Sequence, residues 1–158
     1  MNKATVIQKI IETLQSELET YIRAAKFSHA EATAEENRAE NKYDTRGLEA
    51  SYLAAGQANK VAEIEQSLEA VRALEESDFS NEPIDVGALV ELRQDDFINH
   101  YFIGPSAGGT EADIHGTEIL VITLESPLGE QLAGKREGDS FKLALAGRQQ
   151  SAEVIAVR

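Results

Sequence analysis

The sequence predicts an α+β protein in which a long helical hairpin precedes a small sheet domain. Residues 1–77 contain no proline, only two glycines, and much Ala, Glu, Gln and Leu, which is the composition of helices. Residues 78–84, DFSNEPI, end this pattern with Ser, Asn and a proline, and we interpret them as a linker. Residues 85–158 contain short β-branched runs separated by glycine-rich turns, which is the pattern of strands.

Apolar residues in the helical part recur at alternating spacings of three and four, as in the seam of a coiled coil. The first seam comprises Ile7, Ile11, Leu14, Leu18, Tyr21 and Ala25, and the second comprises Val61, Ile64, Leu68 and Val71. Each seam alone would leave an apolar stripe in water, so we expect two helices packed as an antiparallel coiled coil. A first helix from about residue 3 to about residue 36 would be roughly 50 Å long. The chain would then reverse near residues 36–46.

Five runs in the second part have the alternation or β-branched content of strands. They are residues 86–93, 98–104, 118–124, 140–145 and 151–158. Asp95 and Asp96 follow the first run and predict a turn. One short helix is predicted in SPLGEQLAGK, with Ser126 as N-cap and Pro127 at the first helical position. The aromatic side chains expected in the core are Phe97, Tyr101, Phe102 and Phe141.

Composition and charge exclude several kinds of site. The chain has no cysteine, which excludes disulfides, thiolate zinc sites and cysteine nucleophiles. A net charge of −13 argues against general binding to a nucleic-acid backbone. His29, His100 and His115 are scattered, so no histidine metal site is expected. The sequence has neither a run of about 18 apolar residues nor the apolar region of a signal peptide, so a cytoplasmic protein without a membrane partner is expected.

The segment GTEILVITLESPLGEQLAGKREGDSFKL, residues 116–143, carries a specific signature. It resembles the C-terminal domain of the bacterial Gre transcript cleavage factors, whose pattern there is ISxxSPLGxALxGKxxGD. EADI at 111–114 and the closing SAEVIAVR also look like that family, so the resemblance covers essentially all of residues 85–158. The serine, proline and glycines of this pattern are cap and turn residues, and we interpret most of them as shaping the fold.

A second segment, AENKYDTRGLEASYL at 39–53, is similar to the hairpin-tip region of Gre proteins, GDLSENAEYxAA. The resemblance implies an N-terminal antiparallel coiled coil joined to an FKBP-like C-terminal domain. It also implies insertion of the hairpin through the secondary channel of RNA polymerase. Two tip carboxylates there help to hold the second Mg²⁺ ion in the polymerase active site, which hydrolyses the 3′ end of backtracked RNA. The expected partners are therefore RNA polymerase and, within that complex, the RNA 3′ end. The factor would have no cofactor and no enzymatic activity of its own.

The resemblance points to two candidate site residues, Glu40 and Glu36. Alignment on the shared Glu-Asn places Glu40 on the family's glutamate and places Asn37 on the family's first acid. An amide cannot replace a carboxylate in neutralising a metal ion. Glu36 precedes Glu40 by one helical turn and shares its face, so it could compensate, and Asp44 could do so if the chain turns earlier.

Other readings of the charged stretch and of the whole chain stay open. Arg38, Lys42 and Arg46 could contact RNA phosphate, although solvated charges paired with neighbouring acids are the preferred interpretation. The main alternative function is a regulator that binds the same channel without promoting cleavage. A chaperone or prolyl isomerase is a more remote alternative, because fold does not give function. A monomer is expected, since the two helices are already paired within one chain.

Overall fold

The computed structural model describes residues 2–34, 45–74 and 77–158. The helices are α1 (Lys3–Thr33), α2 (Arg46–Arg72) and α3 (Gly129–Leu132). The strands are β1 (Leu89–Gln94), β2 (Phe97–Ile103), β3 (Glu111–Ile114), β4 (Thr117–Ile122), β5 (Ser140–Leu145) and β6 (Arg148–Val157). Helices first and strands later confirm the α+β class. Within the described ranges, no helix combines the length and apolarity needed to cross a membrane.

The chain divides into two compact units. One unit is the helix pair Leu14–Leu68, and the other combines Met1–Thr13 with Glu69–Arg158. In the helix pair, residues near the end of α1 and the start of α2 line one groove, so the two helices run side by side as a hairpin. The second unit, called here the sheet unit, contains all six strands and α3.

The six strands form one mixed sheet in the order β3-β4-β2-β1-β6-β5. The pair β2–β4 is parallel, and the other four pairs are antiparallel. Asp95 adopts a positive φ of 50° and forms, with Asp96, the predicted two-residue turn between β1 and β2. The five predicted strands are confirmed with small shifts at their ends. β3 was not among them, because four residues with a single buried alanine give too short a pattern.

Alternate residues of the central strands bury one face of the sheet against α3. The central members of this core are Val90, Leu92, Tyr101, Ile103, Leu132, Leu143 and Val154. Ile84, from the predicted linker, joins the same core and is held by two main-chain hydrogen bonds. Its N–H donates to the Lys135 carbonyl at 2.7 Å, and its carbonyl accepts from the Gly134 N–H at 3.0 Å.

The seam predicted for α2 is confirmed, whereas the seam predicted for α1 needs a correction. Ile64, Leu68 and Val71 are buried as expected, although Val61 is only half-buried. On α1 the buried row is Val6, Ile10 and Leu14, while Ile7 and Ile11 are half-buried. The first turns of α1 carry two adjacent apolar rows, Val6–Ile10–Leu14 with spacings of four and Ile7–Ile11–Leu14 with spacings of four and three, and either row is compatible with one helix face. Helix α1 also ends at Thr33, three residues before the predicted end.

Two of the four predicted core aromatics are fully inside the protein. Tyr101 and Phe102 are buried, and Phe141 is partly buried against the core. The prediction for Phe97 is wrong, since this side chain is 74% exposed. Phe97 is the first residue of β2 and pairs with the last residue of β1, so it lies at the end of the sheet, beyond the core.

The short helix begins later than predicted. Leu128, and not the predicted Ser126, is the N-cap residue of α3, although Ser126 Oγ accepts a hydrogen bond from the Gly129 N–H at 3.0 Å. Helix α3 starts at Gly129, and Pro127 lies in the turn before it. The turn brings Gly129 so close to the Thr123 carbonyl that this position has no room for a side chain.

An ion pair between Glu91 and Arg158 joins β1 to the end of β6 and makes a pH-dependent contribution to stability. The hydrogen bond from Arg158 holds the pKa of Glu91 below its ordinary value of 4.5. A lowered folded-state pKa means that the contribution is present above pH 4.5 and is lost as the pH falls through the folded-state pKa. We expect Glu91→Gln to lower the unfolding free energy at pH 7 by less than about 1 kcal/mol. Urea unfolding at pH 7 and pH 3 checks this, and an equal loss at both values would contradict it.

Candidate functional site

The predicted tip carboxylates cannot be located in the structure. Glu36 and Glu40, together with Asn37 and Asp44, fall within residues 35–44, outside the described residues. The same holds for Arg38 and Lys42. The structure does describe the residues on both sides of this segment, at the end of α1 and at the start of α2. We call this region the loop end of the helix pair.

Thr45 and Glu49 form the start of α2. The Thr45 carbonyl accepts the Glu49 N–H at 2.8 Å, and the Thr45 hydroxyl donates to Glu49 Oε1 at 2.9 Å. Glu49 lies in the first turn, where a negative charge is stabilised by the helix dipole. These contacts begin the helix at Arg46, so the residues that follow have a regular helical spacing on the surface.

A groove of about 320 Å³ lies between the two helices at the loop end. Its lining comes from both helices: Phe27, Ser28, Glu31, Arg46, Glu49, Ala50 and Leu53. Arg46, one of the three cations considered for RNA phosphate, shares this lining with two acids, Glu31 and Glu49. This agrees with the interpretation of Arg46 as a surface charge among acidic neighbours.

The three histidines are far apart in the sequence and differ in burial. His29 and His115 are exposed, while His100 is half-buried on β2. In the part of the chain that the structure describes, no three His, Asp or Glu side chains are grouped so that they could hold a metal ion. Glu36 and Glu40, the carboxylates predicted to contact a metal ion, lie outside that part.

The motif SPLGEQLAGKREGD folds as a turn, α3 and a second turn, and its side chains mainly make internal contacts. Asp139 Oδ2 accepts the Arg136 N–H at 2.8 Å, which closes the second turn. The Gly138 N–H donates to the Val154 carbonyl at 2.8 Å and fixes that turn to β6. The Lys135 ammonium lies 4.4 Å from the centre of the Phe141 ring. These contacts support a structural role for most of the motif.

Gln131 has a role that sequence reasoning missed. Its Oε1 accepts the Ala144 N–H at 2.8 Å, and its Nε2 donates to the Ala144 carbonyl at 2.8 Å. Both hydrogen-bonding groups of one residue on the edge strand β5 are thus paired by a single side chain. The sequence gives no local signal for this contact, because the two residues are 13 positions apart and belong to different elements.

Two of the shallow concave surfaces of the sheet unit include charged side chains in their lining. One, of about 410 Å³, includes Arg93, Lys142, Glu153 and the aromatic ring of Phe141. Arg93 Nη1 is 2.5 Å from Glu153 Oε2 there, and Lys142 Nζ donates to Ser151 Oγ at 2.8 Å. The other, of about 450 Å³, lies beside the N-terminal ends of β2 and β4. The charged groups Arg93 and Lys142 of the first surface are thus paired with Glu153 and Ser151.

Several curated proteins that resemble this chain are GreA transcription elongation factors. No family model matches the chain. The transcription elongation factor GreA of Acidiphilium cryptum is 32% identical over 102 residues, which are 63% of this chain and 60% of that protein. GreA of Clostridium perfringens is 31% identical over 101 residues and is also matched over 60% of its length. GreA of Brucella canis is 30% identical over 129 residues, which are 82% of this chain and 78% of that protein.

A similar solved structure is GreA factor homolog 1 of Thermus thermophilus. It is 24% identical, the alignment covers 94% of each chain, and the TM-score is 0.40.

Proposed function

Because the chain belongs to the GreA family of transcription elongation factors, we propose that it acts on RNA polymerase. In this role the helix pair enters the secondary channel of the enzyme and stimulates cleavage of backtracked RNA. The observation that supports this role most is the presence, in one chain of this family, of a two-helix unit and the SPLGEQLAGKREGD segment.

The charge of the chain favours a protein partner over free nucleic acid. Nucleic acid binding depends on clustered Lys and Arg, whereas this chain carries 28 acidic and 15 basic residues. A hairpin that presents carboxylates to a metal ion needs acidic residues at its loop end, and residues 35–44 supply Glu35, Glu36, Glu40 and Asp44.

Glu40 and Glu36 are the residues proposed to direct the metal ion. Mg²⁺ prefers carboxylate oxygens and keeps several waters, so one or two carboxylates from a second protein can complete its coordination. The ion would orient and activate the attacking water in the polymerase site. The chain's own contribution is to carry the two carboxylates, four positions apart in the sequence, with no activity in the absence of the polymerase.

Cleavage of RNA in stalled, backtracked elongation complexes tests this role. The wild-type protein is expected to shorten the RNA from its 3′ end, and Glu40→Ala is expected to abolish the shortening. Glu36→Ala should reduce it, because Glu36 is the second proposed oxygen ligand. Asn37→Asp should increase it, because it restores an acid where the family has one.

Glu65→Ala is a suitable control, since Glu65 is an exposed acid of α2 outside residues 35–44. It removes the same charge and should cleave like the wild type. If Glu40→Ala and Glu65→Ala cleave equally well, the assignment of Glu40 fails. If the wild type binds polymerase and leaves the RNA intact, the cleavage role fails.

A second candidate function, a channel-binding regulator without cleavage activity, is favoured by one specific observation. The tip pattern GDLSENAEYxAA also fits the chain eight residues later, where Tyr52, Ala54 and Ala55 match its Tyr-x-Ala-Ala. The two acids of the pattern then fall on Thr45 and Leu48. Neither side chain carries a carboxylate to offer a metal ion, so a tip in this frame would occupy the channel without promoting cleavage.

The two candidate functions predict different results for variants in the later frame. If that frame is correct, the double substitution Thr45→Asp and Leu48→Glu should create cleavage activity that the wild type lacks. Altered initiation or pausing by the wild type should survive both Glu36→Ala and Glu40→Ala. Cleavage by the wild type that depends on Glu40 would exclude this second candidate.

A further inference from the structure

Large apolar side chains are concentrated on the outside of the helix pair at its loop end. Six large apolar side chains are exposed among the described residues, and four of them lie here. They are Phe27 (68% exposed), Leu48 (56%), Tyr52 (72%) and Leu53 (55%). We call these four residues the outer apolar cluster. Single exposed apolar residues are ordinary, whereas a group of this kind marks an interaction site.

The cluster consists of two pairs, one on a single face of α2 and one in the groove at the loop end. Leu48 and Tyr52 are one turn apart on α2 and share a face. Leu53 follows Tyr52 directly and lines the groove at the loop end, and Phe27 lines the same groove from α1. The groove therefore joins Phe27 of α1 to Leu53 of α2, while Leu48 and Tyr52 lie outside it on α2.

The residues between the helices at this level are small or polar. Ser28 is 4% exposed and follows the exposed Phe27 directly. On α2 the half-buried residues are Ala50, Ala54 and Gln57. At the other end of the helix pair the arrangement is the usual one, with Leu14, Ile64 and Leu68 buried. At the loop end, then, the large apolar side chains are not used to hold the two helices together.

The size and charge of this surface argue against pairing with a second copy of the chain. Taking about 200 Å² for each large side chain, the four together expose about 500 Å². A stable interface needs about 800 Å² from each partner. The net charge of −13 also opposes close association of identical copies. A surface of this area suits a contact that is added to others in a larger complex.

We propose that the outer apolar cluster docks on an apolar protein surface of RNA polymerase and supplies binding energy for the hairpin. This inference rests on the proposed function, since it names the part of the hairpin that binds the partner. The contact would involve side chains and no metal, so it would be equally present in a cleaving factor and in a non-cleaving regulator. It would be lost on replacing the apolar side chains, while the tip carboxylates stay unchanged.

The test compares binding of full-length proteins to bacterial core RNA polymerase by fluorescence anisotropy. The triple variant Phe27→Gln, Tyr52→Gln and Leu53→Gln keeps good helix formers at exposed positions, so its helix content and Tm should be retained. Its Kd is expected to be at least tenfold higher than that of the wild type. The single variant Tyr52→Gln is expected to show a smaller loss in the same direction and serves if the triple variant unfolds.

A matched control uses the other two exposed apolar residues, Phe97 and Ile98 on β2, which have comparable exposure at 74% and 52%. The double variant Phe97→Gln and Ile98→Gln should bind within about twofold of the wild type. Equal binding by the triple variant and the wild type would overturn the docking role and leave the proposed function standing.

Two further outcomes have distinct meanings. If the wild type itself does not bind polymerase, the proposed function fails and the docking role fails with it. If sedimentation shows a wild-type dimer at micromolar concentration and a monomeric triple variant, the occupant of the surface is a second copy, and the assignment to polymerase is wrong.

Discussion

Gly129→Ala is expected to destabilise the sheet unit by about 3 kcal/mol, the upper part of the range for forced overpacking. A Cβ atom at this position would lie 1.9 Å from the Thr123 carbonyl oxygen and 2.9 Å from the Leu124 Cα. Both are main-chain atoms, so the clash cannot be relieved by rotating a side chain. The turn that carries Ser126 would have to open, which would also move Leu128 and Leu132 out of the core.

Thermal unfolding followed by circular dichroism checks this expectation. A loss of about 3 kcal/mol corresponds to a fall in Tm of roughly 12 °C or more for a unit of about 100 residues. Gly56→Ala is the matched control, because Gly56 lies within α2 and an added Cβ would meet nothing within 4 Å. That change should stabilise the helix pair by about 0.5–1 kcal/mol. A stable Gly129→Ala protein would show that the turn can move aside, contrary to the structure.

Phe102→Ala is expected to cost about 3–5 kcal/mol of unfolding free energy. Phe102 is fully buried on β2, on the sheet face opposite Tyr101, and pairs with Leu89 on one side and Val121 on the other. Removing its ring would leave a cavity against the face of the central strands. Hydrogen bonds hold β2 to its two neighbouring strands, so the strands cannot move to fill the cavity.

The same strand provides the control for this change. Phe97→Ala removes an identical side chain that is 74% exposed, so its cost should be within about 0.5 kcal/mol. Urea unfolding at pH 7 of both variants and the wild type measures the difference. Similar losses for the two variants would contradict the placement of Phe97 outside the core and Phe102 inside it.

The elements with strong periodicity were the ones that sequence reasoning located well. The seam through Ile64, Leu68 and Val71 has a single apolar row, and its burial followed directly from the spacing. The first turns of α1 have two apolar rows, so spacing could not separate Val6 from Ile7. Phe97 was misplaced because alternation along a strand does not indicate where the sheet ends.

Contacts between segments that are distant in the sequence could not be predicted from the sequence pattern. Gln131 and Ala144, or Ile84 and Gly134, meet only because the strands are arranged in a particular order. The outer apolar cluster was not predicted for a related reason, since Phe27 and Leu53 line one groove only because the two helices lie side by side. The assignment of Glu36 and Glu40 remains a prediction from the resemblance.

The bidentate contact of Gln131 with Ala144 has a consequence for behaviour at high protein concentration. An open sheet edge offers unpaired main-chain groups to a second molecule and so invites strand-to-strand polymerisation. On β5 one such pair is occupied by Gln131, and the exposed Lys142 places a charge beside it. At the opposite edge β3 is only four residues long and carries the exposed acids Glu111 and Asp113. Both edges are thereby poor templates for aggregation.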